Sequence, residues 1–468
     1  MVLFGVVLAL LTRPLLGCEL QGVPYPPTGA TAFLGLRYAQ PPVGELRWQP
    51  PAQRRAAADC SEATWAGAVP GTQGAVANAT VPAPACLQKG RFGNGTSSED
   101  CLTLSVFTQH YSHNRRESTG SSTALARNRS SAGLAGPIAP ARRPVFVWLH
   151  GGDLVEGGTF SIQSGYGAVA NITGANADDA VVVSVEYRLA VAGFLALDCL
   201  ADRDARGAGK VGNYGLLDTI AALEWVQSNI GSFGGDPDNV TVVGQSSGGS
   251  LVFALLASPK GARLLHRGIS MSGSPRLNST TAEAARYWHR EVVDRTRCST
   301  AAAAAAAADT RTATATGISA KAGLAECECL LGLSGAELIT AMPPDWTADV
   351  WSYKLFGRGF QYAPLLLIDG PGGVLPTSYI DTFGTASAAT TPNRAVEVIV
   401  GVTRQEPDFS PGKDVRNYTA AAFAAFLREV RCPWPDHNTA GISRCNSDEL
   451  VGYWAVPWLG AGRGCACP

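Results

Sequence analysis

In VTVVGQSSGGS, residues 240–250, Ser246 stands between Gly244 and Gly248 in the spacing G-x-S-x-G. A β-branched run precedes it and a helix-forming run, SSGGSLVFALLAS, follows. Glycines at both flanks remove the Cβ atoms that would collide where the chain doubles back. The hydroxyl is then held above a strand end, at a helix N-terminus. There the free N–H groups and the helix dipole favour a developing negative charge. That is the environment for a serine that attacks a carbonyl. A second stretch, WLHGGDLVEGG at 148–158, carries paired glycines directly after another strand-like run. Gly152, Asp153 and the residue after the nucleophile, Ser247, are therefore read as three backbone N–H donors to a tetrahedral oxyanion. His150, which opens this turn, is read as bracing the loop and not as a catalytic group.

Such a corner needs a rigid frame. PVFVWLHGG (144–152) and AVVVSVEYRL (180–189) are short, continuous and rich in β-branched residues, as strands buried on both faces are. A helical pattern in GLLDTIAALEWVQSNIGSFGG leads to the strand NVTVVG, and a last strand is expected in AVEVIVG, 395–401. Strands alternating with helices predict a mostly parallel central sheet flanked by helices. Residues 111–143 are Ser-, Ala-, Gly- and Arg-rich without periodicity and read as a flexible, basic surface insertion. A low-complexity alanine tract marks a second insertion, taken as 299–325.

The chain has 468 residues, a formal net charge of −1, 46% hydrophobic and 16% charged residues. This is ample for a large core, and near-zero charge gives no sign of a nucleic-acid partner. Residues 2–11 are almost wholly apolar, too short to span a bilayer, and residues 1–17 read as a signal peptide. A buried first strand or a lipid-attachment box on Cys18 are the alternatives. No later segment reads as transmembrane. Twelve cysteines and seven N-x-S/T sequons, at Asn78, Asn94, Asn128, Asn171, Asn239, Asn278 and Asn417, fit a secreted glycoprotein. No cofactor motif is evident. The C-x-C at 465–467 lacks the second pair that a metal site needs. Oligomeric state is left open.

The motifs together resemble type-B carboxylesterases, the family of cholinesterases and carboxylesterase-like lipases, within the α/β hydrolases. FLGLRYAQPPVGELRWQPP (33–51), SEDCLTLSVFTQ (98–109), VEYRLAVAGFLAL (185–197), the long block 212–250, GISMSGS (268–274) and YAPLLLIDGPGGVLP (362–376) follow in the family's order. The resemblance implies one domain, 18–468, and makes Ser246 the nucleophile and Glu406 the acid that fixes a histidine tautomer. It implies disulfides Cys86–Cys101 and Cys298–Cys329, with Cys327 an adjacent competitor. Its substrates would be small-molecule or lipid esters. KGRFGNGTSSED (89–100) lacks the tryptophan that a quaternary ammonium substrate would need.

The pattern departs from the family at the base. Triad order in this fold is Ser, acid, His. Of six histidines only His437 follows Glu406, and its setting, CPWPDHNTAG, does not resemble the family's. The expectation is therefore a C-terminally incomplete chain, with His437 the one candidate base. The alternative function is a catalytically impaired or non-catalytic relative, an interaction module or a truncated chain, that lacks the catalytic histidine. Asp153 replaces a common third glycine, and Gln245 replaces a common glutamate.

Overall fold

Val181–Val185 is five consecutive buried residues, and a run apolar on both faces belongs inside a covered sheet. In the computed structural model it lies between Arg143–Leu149, parallel to it, and Thr103–Thr108, antiparallel. The structure describes residues 12–15, 18–25, 29–53, 60–72, 75–89, 97–109, 142–160, 180–204, 209–275, 280–300, 320–343, 365–384 and 396–402. These belong to one compact unit drawn from Met1–Pro343 and Pro364–Val402. The second unit, Pro344–Ala363 and Thr403–Pro468, lies outside the described residues.

The central sheet has eight strands: β1 (Val23–Tyr25), β2 (Ala30–Arg37), β3 (Thr103–Thr108), β4 (Arg143–Leu149), β5 (Val181–Val185), β6 (Gly235–Gln245), β7 (Arg267–Met271) and β8 (Glu397–Gly401). Across the sheet they run β1-β2-β3-β5-β4-β6-β7-β8. All pairings from β5 to β8 are parallel, and β1, β2 and β3 form the antiparallel flank. This is the arrangement expected of an α/β hydrolase. One face packs Tyr25, Ala32, Leu34, Phe107, Trp148, Val182 and Val243 into a buried cluster.

Helix α1 (Tyr214–Asn229) buries Leu216, Ile220, Leu223 and Val226, and α2 (Ser247–Ala257) buries Leu251, Val252, Leu255 and Leu256. α1 is tied to the chain after β5 by a buried ion pair. Arg188 donates from Nε and Nη2 to the two carboxylate oxygens of Asp218 at 2.8 and 2.7 Å, and its backbone N–H adds a third bond at 3.0 Å.

Two sequence-based boundaries shift. Arg143, taken as the end of the first insertion, opens β4, its N–H held by the Gly234 carbonyl at 2.9 Å. Residues 320–325, assigned to the second insertion, begin helix α3 (Ala320–Leu331). Two disulfides on this helix, Cys199–Cys327 and Cys298–Cys329, account for its order. Arg47 caps its C-terminal end, donating to the carbonyls of Leu330, Leu331 and Leu333 while its Nε and Nη2 pair with Glu99.

Two further disulfides are present. Cys86–Cys101 closes as the resemblance implied, and Cys18 is bonded to Cys60. The Cys18 thiol is thus occupied, which sets aside the lipid-attachment reading. Thr12–Leu15, inside the stretch read as a signal peptide, pairs antiparallel with Cys18–Gln21. Among the described residues no helix is long and apolar enough to cross a membrane.

Candidate active site

The carboxyl ends of β4, β6, β7 and β8 come to one edge of the sheet, where parallel α/β folds place their ligands. Ser246 lies there, between the last residue of β6 and the first of α2, with φ 55° and ψ −124°. For a non-glycine residue this is a strained conformation, worth of order 1–3 kcal/mol, and it persists only when neighbours over-determine it.

Those neighbours are on hand. The Ser246 N–H donates to the Met271 carbonyl at 2.8 Å, and the Ser246 carbonyl accepts from the Ser250 N–H at 3.0 Å. Gly244 and Gly248 face each other so closely that a Cβ on Gly244 would overlap the Gly248 carbonyl. A Cβ on Gly248 would in turn overlap the Leu149 carbonyl and lie 2.6 Å from the His150 carbonyl. The two glycines of the motif therefore serve different contacts: one closes the turn, the other lets α2 rest on the end of β4.

The paired-glycine turn comes up against this corner. A Cβ on Gly151 would lie 3.1 Å from the Ser246 Cβ and 2.8 Å from the Gln245 carbonyl oxygen. Gly152 has φ 114°, open to glycine alone, and Asp153 and Leu154 follow at 57° and 62°. The Gly152 carbonyl accepts from Val155 and Glu156, both at 3.0 Å. Among the described residues, nothing accepts a hydrogen bond from the N–H of Gly152 or of Ser247. Two of the three expected oxyanion donors are thus unspent, Ser247 at the N-terminus of α2 and Gly152 in the turn after β4.

His150 is fully buried and stacked on Tyr187, with ring centroids 4.3 Å apart. Its Nδ1 donates to the Gly151 carbonyl at 2.8 Å, and the Tyr187 hydroxyl donates to the His150 carbonyl at 2.6 Å. Burial lowers its pKa to about 4, against the opposing pull of the Gly151 carbonyl. A neutral, stacked imidazole in the backbone of the turn is a brace.

The turn is also held from behind. Gly157 exchanges two bonds with the buried Gln88 amide, N–H to Oε1 at 2.9 Å and Nε2 to its carbonyl at 2.7 Å. The buried Glu186 accepts from the Thr159 N–H at 2.6 Å, and burial raises its pKa to about 7 against that bond. Neither Gln88 nor Glu186 stood out from the sequence, because their role rests on contacts across 69 and 27 residues.

Glu406 and His437 lie outside the described residues. β8, the strand before Glu406, is in place: it pairs with β7, and the Gly401 carbonyl accepts from the Ser272 N–H at 2.7 Å, beside the Met271 that holds Ser246.

A family model, described as Carboxylesterase family, matches residues 17–426. The chain belongs to the carboxylesterase family. Among curated carboxylesterases it is 37% identical to mouse carboxylesterase 3B over 253 residues, covering 52% of this chain and 34% of that one. It is 32% identical to rabbit liver carboxylesterase 1, covering 60% and 42%, and 34% identical to human cocaine esterase, covering 58% and 41%. The matches therefore span less than half the length of these relatives. A crystal structure of a Geobacillus stearothermophilus carboxylesterase superimposes with a TM-score of 0.60 at 25% identity, over 97% of this chain and 71% of that one. The carboxylesterase fold is thus an α/β hydrolase with its parallel strands aimed at Ser246.

Proposed function

We propose that this carboxylesterase-family protein is a secreted serine hydrolase that cleaves carboxylic esters through an acyl-enzyme on Ser246. The reading is carried by the strained Ser246 backbone beside the open N–H groups of Gly152 and Ser247. Ser246 Oγ attacks the ester carbonyl and gives its proton to a general base. The carbonyl oxygen becomes an anion that the N–H groups of Gly152, Asp153 and Ser247 stabilise. Collapse expels the alcohol, which takes the proton back, and water releases the acid by the same route. Glu406 and His437 are the residues that complete the order Ser, acid, His, with Glu406 orienting the imidazole. The closed disulfides support an oxidising compartment.

Treatment of the full chain with a fluorophosphonate probe tests this. One adduct is expected, on Ser246, and Ser246→Ala should abolish both the adduct and hydrolysis of p-nitrophenyl butyrate. His437→Ala should remove turnover in parallel. A folded wild-type chain that takes no label would instead favour the non-catalytic reading.

A further inference from the structure

The turn that carries Gly152 and Asp153 and the helix that carries Ser247 are separate segments, and oxyanion donors serve only if their spacing is held to about half an ångström. The backbone of this turn is strained in two consecutive residues, Asp153 and Leu154, both at left-handed φ and neither a glycine. Leu154 is buried, so its peptide groups need partners. It has one on each side. Its carbonyl accepts from the Ala190 N–H at 2.7 Å, and its N–H donates to the Ser247 side-chain Oγ at 3.2 Å. The first bond ties the turn to the chain after β5. The second ties it to α2 at the residue whose own backbone N–H points to the oxyanion.

We propose that Ser247 is a positioning residue as well as a donor: its hydroxyl clamps the strained turn to α2, so that the N–H groups of both segments keep one fixed separation. The proposal rests on the serine-hydrolase reading above for its catalytic consequence, while the clamp itself is a statement about structure. Gln88 and Glu186 hold the far side of the same turn, through Gly157 and Thr159. They fix its base, whereas Ser247 reaches Leu154, two residues after Gly152. An alanine at 247 would keep the backbone N–H and the helix. It would lose only the acceptor, leaving the Leu154 N–H buried without a partner. Threonine would retain that acceptor.

The experiment compares the full chain with Ser247→Ala, Ser247→Thr and Ser246→Ala. Amide hydrogen exchange is followed over residues 150–156, and kcat and KM are measured on p-nitrophenyl butyrate. In Ser247→Ala the Leu154 amide should exchange at least about tenfold faster, with the melting temperature little changed. Its kcat should fall roughly 10- to 100-fold with KM within about threefold, the mark of an interaction used in the transition state. Ser247→Thr should restore both. Unchanged exchange in Ser247→Ala overturns the clamp whatever the turnover, and so does a kcat loss that threonine fails to rescue. Absence of Ser246-dependent turnover in the wild type overturns the hydrolase reading instead, and the exchange result still decides the clamp. If Ser247→Ala does not fold, Ser247→Cys, a weaker acceptor, should show an intermediate exchange rate, and a wild-type rate there overturns the proposal.

Discussion

His150 and Glu186 are both buried beside the same turn, and their titrations work against each other. Unfolded, His150 takes a proton below about 6.5, whereas folded it refuses one until about 4, so falling pH removes stability across that window. Glu186 folded keeps its proton up to about 7 but unfolded loses it near 4.5, so its contribution, present below 4.5, is lost as pH rises through 7. Each effect is on the order of 3 kcal/mol over its full range. Between pH 4.5 and 6.5 the two slopes offset. Glu186→Gln should therefore expose the histidine: its melting temperature should fall as pH drops from 6.5 to 4.5 by several degrees more than that of the wild type. Superimposable profiles would contradict this. At the same scale, Gly152→Ala puts a Cβ into the Glu156 carbonyl at φ 114° and must shift the donor beside it. Turnover should drop roughly 10²- to 10³-fold with little change in KM, as steady-state kinetics would show.

At the scale of elements, the contacts that matter most connect strand ends to helices. Asp218 on α1 receives Arg188 with almost no solvent access to either side chain. Arg188→Met leaves a buried carboxylate without its partner and should cost about 3–5 kcal/mol, read from urea unfolding. Arg188→Met with Asp218→Leu should recover most of that loss; a double variant as unstable as the single one would refute the argument. This scale also shows what could be read from the sequence. The runs at 144–149 and 181–185 and the serine corner were legible, because a buried parallel strand must be apolar on both faces and a sharp turn must carry glycine. The N-terminal pairing Thr12–Leu15 with Cys18–Gln21 was not, since TRPL carries no alternation and CELQ alternates over only four residues. β7 was recognised as part of a motif and not as a strand, being only five residues long with a glycine inside it. Arg188, Gln88 and Glu186 owe their roles to partners far along the chain, and local pattern carries no trace of that.

Over the whole molecule, disulfides link parts that the sheet does not. Cys199–Cys327 spans 128 residues, and Cys86–Cys101 spans 15. In the chain-entropy picture the long loop contributes about 5 kcal/mol and the short one about 3. Cys199→Ser with Cys327→Ser should lower the urea midpoint more than Cys86→Ser with Cys101→Ser, and the reverse order would point to native-state strain in place of loop entropy. The resemblance supplied Cys298–Cys329 but left Cys199 and Cys18 unassigned, because partners so distant leave no spacing signature. β8 ends the sheet among the described residues, with Ile399 and Val400 more than half exposed. Among the described residues no further strand pairs with its outer side, and an edge with apolar side chains beside its peptide groups favours strand addition by a second chain. Val400→Lys should therefore raise the soluble fraction of the heterologously produced chain, and an unchanged fraction would assign any loss to another surface.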